Sequence, residues 1–503
     1  MLSKLRGAAL WAVILGAAVV CGVAAASGRT ILQALAFAPI LLLVAALVST
    51  VTWLPCVLAL AATASVAEVY ALPALNLGPV DVFLPEMILG LAVGARVIQR
   101  LRDTDRRPLP TVMRVAIVVF AVAVVGGFFV GVQNDATLQD VIIGVRPVVF
   151  YAGFWLAIPA VRDEATRRKV FAAAAVIAVL VVGLQVVQFF LGSGTRVFVI
   201  STSSKTLALQ PGTEGFFRVR PPGLRLVYVV AIFAAAYLFW GPRRRRVRAA
   251  LVCLVCLAGP ALALERNMLI GLVMGLAAAA LLVRRKGGMV VASLLAAALS
   301  LGVVLLAEGT YGSAARSNVI VDRILTIGNV GNLVKSDSLY DRFYENELAI
   351  QALKESPLSG IGWGASYGAK VAEPQPDGTF EIKDRQFIHN QYLSLWMRTG
   401  LAGVAAFVFA LGASLVYGAS WARRRAWDDQ SWLGAAVVAS TVAIAMSSLV
   451  EIYLLNPNSI VVISIVLALA SVLRRELRRT APAPEEIALR ASARELRSAL
   501  APH

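Results

Sequence analysis

Apolar residues do not alternate along this chain; they run together. Stretches of about 17 to 25 apolar residues recur from near the first residue to Leu473, each closed by a short polar cluster. About 20 such residues cross the hydrocarbon core of a bilayer as a helix, a form that satisfies every backbone polar group within itself. The pattern predicts spans at 8–26, 31–49, 53–71, 80–98, 112–132, 143–160, 169–192, 225–241, 248–264, 267–283, 288–308, 393–418, 432–452 and 456–473. The expected fold is therefore an all-α polytopic membrane protein with about 14 transmembrane helices. The loop between the second and third spans is very short, and loss of both would leave the later orientation unchanged. Two long polar segments interrupt the pattern, at 192–223 and 308–392. The chain divides into helices 1–11 over 1–308, a large loop over 309–392, helices 12–14 over 393–473 and a basic tail over 474–503.

Composition agrees. The chain is 59% hydrophobic with a mean hydropathy of +0.77, more apolar surface than a water-soluble protein of 503 residues covers. A net charge of +18 would point to nucleic acid in a soluble protein. Here the basic residues fall in clusters on alternate connections: Lys4 and Arg6, Arg96 to Arg107, Arg162 with Arg167 to Lys169, Arg243 to Arg246, Arg284 to Lys286, Arg423 to Arg425, and Arg474, Arg475, Arg478 and Arg479. This is the positive-inside pattern, so no nucleic-acid partner is expected. It puts both termini in the cytoplasm and both long loops outside. The first apolar run, Leu10 to Ala26, is similar to a signal peptide, but Ala24-Ala25-Ala26 is a weak cleavage site and an uncleaved first helix is expected. Cys21, Cys56, Cys253 and Cys256 all lie in apolar runs, so Cys253-x-x-Cys256 reads as buried small residues. The tail 481–503 alternates Glu, Arg and Leu and reads as a partly helical, surface-lying segment.

Ionisable residues within spans are costly and mark function. Glu68, Glu86, Arg146, Arg225, Glu265, Arg266 and Glu451 all fall toward the outer ends of their expected helices. A transporter places such groups near the midplane. A shared outer depth predicts a polar cavity open to the exterior.

The outer loops supply chemistry. Arg218, Arg220 and Arg225 lie within eight residues, and guanidinium forks bind phosphate oxygens bidentately. Pro221-Pro222-Gly223 fixes a turn between them. In the large loop, Tyr344, Leu348 and Ala352 share a helical face, which predicts an amphipathic helix with Glu345 and Glu347 toward water. Ser356-Pro357 ends that helix. Gly360-Ile361-Gly362-Trp363-Gly364 lacks the Lys and Ser/Thr of a phosphate-binding P-loop and reads as a tight backbone turn. Pro374 to Gly378 is a second turn. The loop returns through Lys383-Asp384-Arg385 to His389, one of only two histidines. Arg342 and Arg385 are further candidate cations on this loop.

His389-Asn390-Gln391-Tyr392-Leu393, followed by Thr399-Gly400-Leu401-Ala402-Gly403, resembles the signature of the O-antigen ligase and polymerase superfamily. Pro357-Leu358-Ser359-Gly360-Ile361-Gly362 is similar to that family's "Pro-Leu-x-Gly-x-Gly" element. Arg220-Pro221-Pro222-Gly223 is similar to its "Arg-x-x-Gly" element. Arg266 resembles its "Ser-Arg-Gly" position, although Glu265 and Asn267 flank it here. The resemblance extends over residues 215–420 and implies a membrane glycosyltransferase of the GT-C type in the bacterial cytoplasmic membrane. Its implied partners are an undecaprenyl-pyrophosphate-linked glycan donor and a glycolipid or glycan acceptor, such as lipid A core. It implies an inverting transfer without cofactor or metal. The first outer loop, 27–30, carries no carboxylate of the kind metal-dependent GT-C enzymes use there.

Transfer from a pyrophosphate needs a departing charge stabilised and an acceptor hydroxyl deprotonated. Arg218, Arg220 and Arg266 are the candidates for the first task. The second falls to His389, since an imidazole titrates near pH 6.5. Arg146, Arg225, Glu265, Arg342, Arg385 and Asn390 are candidate supporting residues, with Glu265 facing either substrate or Arg266. The acceptor stays open among a ligase, a polymerase and an O-linked protein oligosaccharyltransferase. A polysaccharide or lipid transporter is the reading from another class.

Overall fold

The computed structural model describes residues 52–64, 75–76, 81–82, 84–102, 109–191, 219–263, 265–283, 337–368, 370–374, 380–384, 388–425, 429–451 and 455–479. The expected spans at 8–26, 31–49 and 288–308 lie outside them, as do Cys21, Glu68, most of the loop at 192–223 and the tail from Thr480.

The described chain is a helical bundle. Its helices are α1 (Leu54–Ala64), α2 (Leu84–Arg102), α3 (Thr111–Gln133), α4 (Leu138–Val145), α5 (Ala152–Arg162), α6 (Glu164–Leu191), α7 (Leu224–Trp240), α8 (Arg246–Leu262), α9 (Arg266–Val283), α10 (Asp337–Glu355), α11 (Gln391–Arg424), α12 (Ser431–Ser447) and α13 (Pro457–Arg479). The described parts of the expected spans from 53 to 283 and from 393 to 473 are largely helical, although 80–98 begins at a strand pair and 432–452 runs past the end of its helix. A tight 3-10 segment, Arg146–Tyr151, joins α4 to α5. Pro147 sits at its start and has no N–H to continue an α-helical ladder. Asp163 opens α6, its carboxylate accepting from the Thr166 N–H at 2.9 Å and the Thr166 hydroxyl at 3.0 Å. These two bonds hold the Asp163 carboxyl below its ordinary range.

Thr111–Gln133, Leu138–Arg162, Glu164–Phe190 and Gln391–Arg424 are long and apolar enough to cross a membrane, while Leu54–Thr63, Leu224–Trp240, Asn267–Val283 and Ser431–Ser447 are apolar but shorter. The outer helices turn apolar stripes outward. α3 exposes Val115, Val118, Val122, Val125 and Phe129, and α6 exposes Val176, Leu180, Leu184 and Val187. Stripes of this length are a liability in water and are matched by lipid tails.

The core belongs to α12 and to Asn458–Leu473 of α13, which are apolar or small and buried on nearly all sides. α12 packs against α9, α11, α7 and α13. Small residues permit the approach: a Cβ on Gly434 of α12 would collide with the backbone of Gly418 on α11, and one on Gly275 of α9 with Ala439. The Ser414 and Thr441 hydroxyls bond across the same interface at 3.1 Å.

Two features depart from the sequence expectation. The structure is not purely helical. Leu75–Asn76 (β1) pairs with Asp81–Val82 (β2), and Lys370–Pro374 (β3) pairs antiparallel with Phe380–Asp384 (β4). The turn foreseen at Pro374 to Gly378 lies, past Pro374, outside the described residues. The alternating Phe380-Glu381-Ile382 run is too short to outweigh the apolar pattern on either side, so sequence periodicity did not announce the strand pair. The second departure is the facing of α10. Glu345, Ala349 and Leu353 are buried, whereas Tyr344 is 54% exposed. The inner face is therefore rotated by about one residue, or 100°. Ala349, Leu353, Tyr367, Ile388 and Met397 form the small core that seats α10 on α11. A buried carboxylate on that face requires a polar partner, and α11 begins beside one.

Candidate active site

His389 is held from both sides. Ile388 before it is 1% exposed. Asn390 after it caps α11, its Oδ1 accepting the N–H groups of Tyr392 at 3.1 Å and Leu393 at 3.3 Å. Two further bonds tie this helix start to α12 and the turn beyond it: the Gln391 N–H donates to the Ser448 carbonyl at 3.0 Å, and the Tyr392 hydroxyl to the Ala445 carbonyl at 2.9 Å. Asn390, a candidate supporting residue, thus acts by aiming its neighbour.

Glu345 completes the local geometry. Its Oε2 lies 2.8 Å from His389 Nδ1 and its Oε1 3.2 Å from the same nitrogen. The His389 backbone N–H also donates to Oε2, at 3.2 Å. The carboxylate is 2% exposed and the imidazole 32%. One side of the ring is clamped while part of it stays accessible.

The glycine-rich turn braces this arrangement. The N–H groups of Ile361 and Gly362 both donate to the Met397 carbonyl on α11, at 2.7 and 2.9 Å. Trp363 is fully buried, with its indole N–H on the Val124 carbonyl at 3.2 Å and Arg398 over its ring at 5.3 Å. Gly362 has φ +86°, and a Cβ there would enter the backbone of Gly131 on α3. The turn is a wedge between α3 and α11, in keeping with the non-phosphate reading of its sequence.

A second cluster adjoins the histidine. Glu265, 2% exposed, meets Arg225 at 2.5 Å and Arg220 Nε at 3.2 Å. Arg225 also reaches Glu451 at 3.4 Å, and Asn267 donates to Glu451 at 3.2 Å. Because α12 ends at Ser447, Glu451 lies past the helix rather than within it. Burial opposes its ionisation, yet Arg225, Arg220 and Arg342, together with His389, hold its carboxyl below the ordinary range. Glu451 thus contacts Arg225 and Asn267 and feels the charges of Arg220, Arg342 and His389. Arg220 keeps 39% of its side chain exposed and Arg225 only 12%. The first is therefore open to a ligand while the second is locked between two carboxylates.

The fold brings together His389, Arg220, Arg225, Glu265, Arg342 and Glu451. It gives Arg146 a different carboxylate, Glu86 on α2. Arg218, Arg385 and the side chain of Arg266 lie outside the described residues. Two contributors escaped sequence reasoning. Glu345 was assigned to water. Gln185, an amide inside an apolar stretch of α6, is fully buried and bonds the Val219 carbonyl at 2.9 Å and the Gly259 carbonyl at 3.0 Å. It anchors the residue before Arg220, and its polarity within a span was the available signal.

A buried carboxylate on a histidine, beside cations 170 residues away in sequence, sits at the head of the His-Asn block. Residues 251–408 match the family model described as O-Antigen ligase. This match supports the O-antigen ligase/polymerase superfamily that the His-Asn block resembles. No curated protein matches the chain. The matched O-antigen ligase region holds Glu265, Arg342, Glu345, His389 and Asn390, while Arg220, Arg225 and Glu451 join it from beyond its ends. Among the described residues no group of three or more His, Cys, Asp or Glu side chains is arranged to hold a metal ion. Cys56, Cys253 and Cys256 are buried thiols. The chemistry on offer is a clamped imidazole beside an exposed guanidinium.

Proposed function

We propose that the protein is a membrane glycosyltransferase that moves a glycan from an undecaprenyl-pyrophosphate carrier to an acceptor hydroxyl at the outer face of the bacterial cytoplasmic membrane, in the manner of an O-antigen ligase. The observation that carries this reading is that the charges of His389 and Arg220 both act on Glu451, within and beside the region that matches the O-antigen ligase model.

In this mechanism His389 takes the proton of the acceptor hydroxyl as its oxygen attacks the anomeric carbon. The bond from that carbon to the carrier phosphate breaks, and the electron pair leaves on the pyrophosphate. Arg220 meets the developing charge bidentately, with Glu265 on its Nε holding the fork in place. A single displacement inverts the anomeric centre, as the family resemblance implies. Arg225 and Glu451 set the field between acid and base rather than touching substrate.

Orientation follows from charge. The clusters at Arg162 to Lys169, Arg423 to Arg425 and Arg474 to Arg479 share the opposite end of the bundle, where Gln430 bonds Glu164 at 3.0 Å and Arg167 meets Glu476 at 3.6 Å. By the positive-inside rule that end is cytoplasmic, and the His389 end faces the exterior.

The test is transfer by purified His389→Ala protein, with lipid-linked glycan supplied as donor. Loss of transfer with intact membrane insertion is expected, and transfer at the wild-type rate would overturn the mechanism. In a deletion strain, loss of all attached polymer marks a ligase and single attached repeats mark a polymerase. Unchanged surface glycans would refute both.

A further inference from the structure

We propose that Glu345 is the positioning residue of the catalytic base: its carboxylate fixes His389 in the Nδ1–H tautomer and steadies the imidazolium formed during transfer. The proposal rests on His389 being the base, and deepens that reading.

The argument begins with hydrogen-bond inventory. An ionised carboxylate only accepts. With Glu345 ionised, its Oε2 accepts the His389 backbone N–H at 3.2 Å and its 2.8 Å approach to Nδ1 places a proton on that nitrogen. A neutral imidazole carries one ring proton, and the basic lone pair is then on Nε2. The side chain is 32% exposed, so the imidazole is not sealed from the outside. When the acceptor O–H bond breaks, the proton moves to Nε2, the oxygen bonds the anomeric carbon and the pyrophosphate leaves with the electron pair of the broken bond. The imidazolium so formed keeps Nδ1–H on Glu345, and the positive ring is paired with a carboxylate that is itself 2% exposed.

The packing supports a dedicated role. α10 is seated by Ala349 and Leu353 against Ile388 and Met397, so Glu345 is delivered by the same small core that holds the residue before His389. Glu347, two residues on, is exposed. Glu345 from α10 contacts the ring directly, and the charges of Arg225, Arg220, Arg342 and His389 all act on Glu451 beyond α12. Glu451 bonds Arg225 and Asn267, while Glu345 touches both the ring and the backbone of His389.

The chain offers a direct readout, because it contains only His389 and His503. A His503→Ala protein labelled with nitrogen-15 histidine reports one imidazole. In the full-length protein in lipid nanodiscs, the neutral ring is expected as the Nδ1–H tautomer. An Nε2–H tautomer would overturn the proposal without reference to activity. Glu345→Gln is expected to mix the tautomers and to lower kcat by about 100-fold, the scale of general-base assistance, with KM for the lipid-linked donor little changed. Glu345→Asp is expected to restore part of the rate. Wild-type kcat in well-folded Glu345→Gln would overturn the positioning role even if His389→Ala is dead. Activity in His389→Ala would instead overturn the underlying reading, whatever the tautomer. If Glu345→Gln does not fold, the wild-type tautomer still decides.

Discussion

The two ends of the bundle use the same residue types differently. At the basic end, Arg243, Arg244 and Arg245 are solvent-exposed and form a short 3-10 turn before α8. Arg168 is 63% exposed and pairs with Glu164, one helical turn away. At the His389 end, Glu265 and Glu345 are each 2% exposed and every described carboxylate of the cluster is bound to a group from another element. Charges in solvent set orientation and cost little to change. Charges taken out of solvent survive only with partners and become expensive to remove. Arg167 at the basic end is buried too, 4% exposed with Glu476 at 3.6 Å, so the ends differ in degree, and the two carboxylates at 2% exposure set the His389 end apart as the candidate site.

Removing the imidazole should separate the ends most sharply. His389→Ala is expected to lower transfer by about 100- to 10,000-fold, the range of a lost general base, and to lower melting temperature only in part, since Glu345 loses its ring partner but keeps the backbone N–H of residue 389. A residual rate near wild type would erase the distinction between a built site and a structural ion cluster. Glu265→Ala comes next. It strips a carboxylate from Arg220 and Arg225, and loss of one partner from a buried pair costs about 3–5 kcal/mol. Thermal unfolding should fall together with donor binding, and an unchanged melting point would show the cluster to be solvated. Gly362→Ala tests the brace that connects the site to α3. Its φ of +86° and the adjacent Gly131 backbone leave no room for a methyl group, so a loss of about 1–3 kcal/mol is expected in thermal unfolding. At the basic end, Arg168→Ala should change stability by no more than about 0.5 kcal/mol and leave transfer intact. The smallest effect is a pH effect at that end. Asp163 has a depressed carboxyl, so its contribution to the start of α6 is present above the ordinary aspartate pKa of about 3.9 and lost as pH falls below it. Hydrogen exchange in the first turn of α6 should rise on acidification in wild type and not in Asp163→Asn.

Much of the site was readable because its members are chemically rare in their surroundings. A histidine at a loop–helix junction and arginines at the mouth of an apolar run stand out on composition alone. Glu345 did not stand out. It belongs to a helix with Glu347 and Glu355 nearby, and the face holding Tyr344, Leu348 and Ala352 offered a more apolar solution. Burial of Glu345 is matched by His389, 44 residues later, which brings its backbone N–H and Nδ1 within hydrogen-bond distance. Gln185 was visible as an amide in a span, but its task of holding Val219 depends on a loop that returns from outside. Glu265 had two possible partners in sequence. The fold gave it Arg225 and Arg220, because α7 and α9 start at the same end of the bundle.

The sequence by itself determined the helical class, with four helices long and apolar enough to cross a membrane, and the approximate placement of the described apolar helices. Those properties follow from local composition, since a run of apolar residues needs lipid and a run of arginines avoids it. Tertiary structure decided which carboxylate answers which cation, which face of α10 turns inward and that the charges of Arg220 and His389 act together on Glu451. Those are outcomes of long-range pairing. A buried charge takes whatever partner the packing of distant helices presents, and no local pattern encodes that choice.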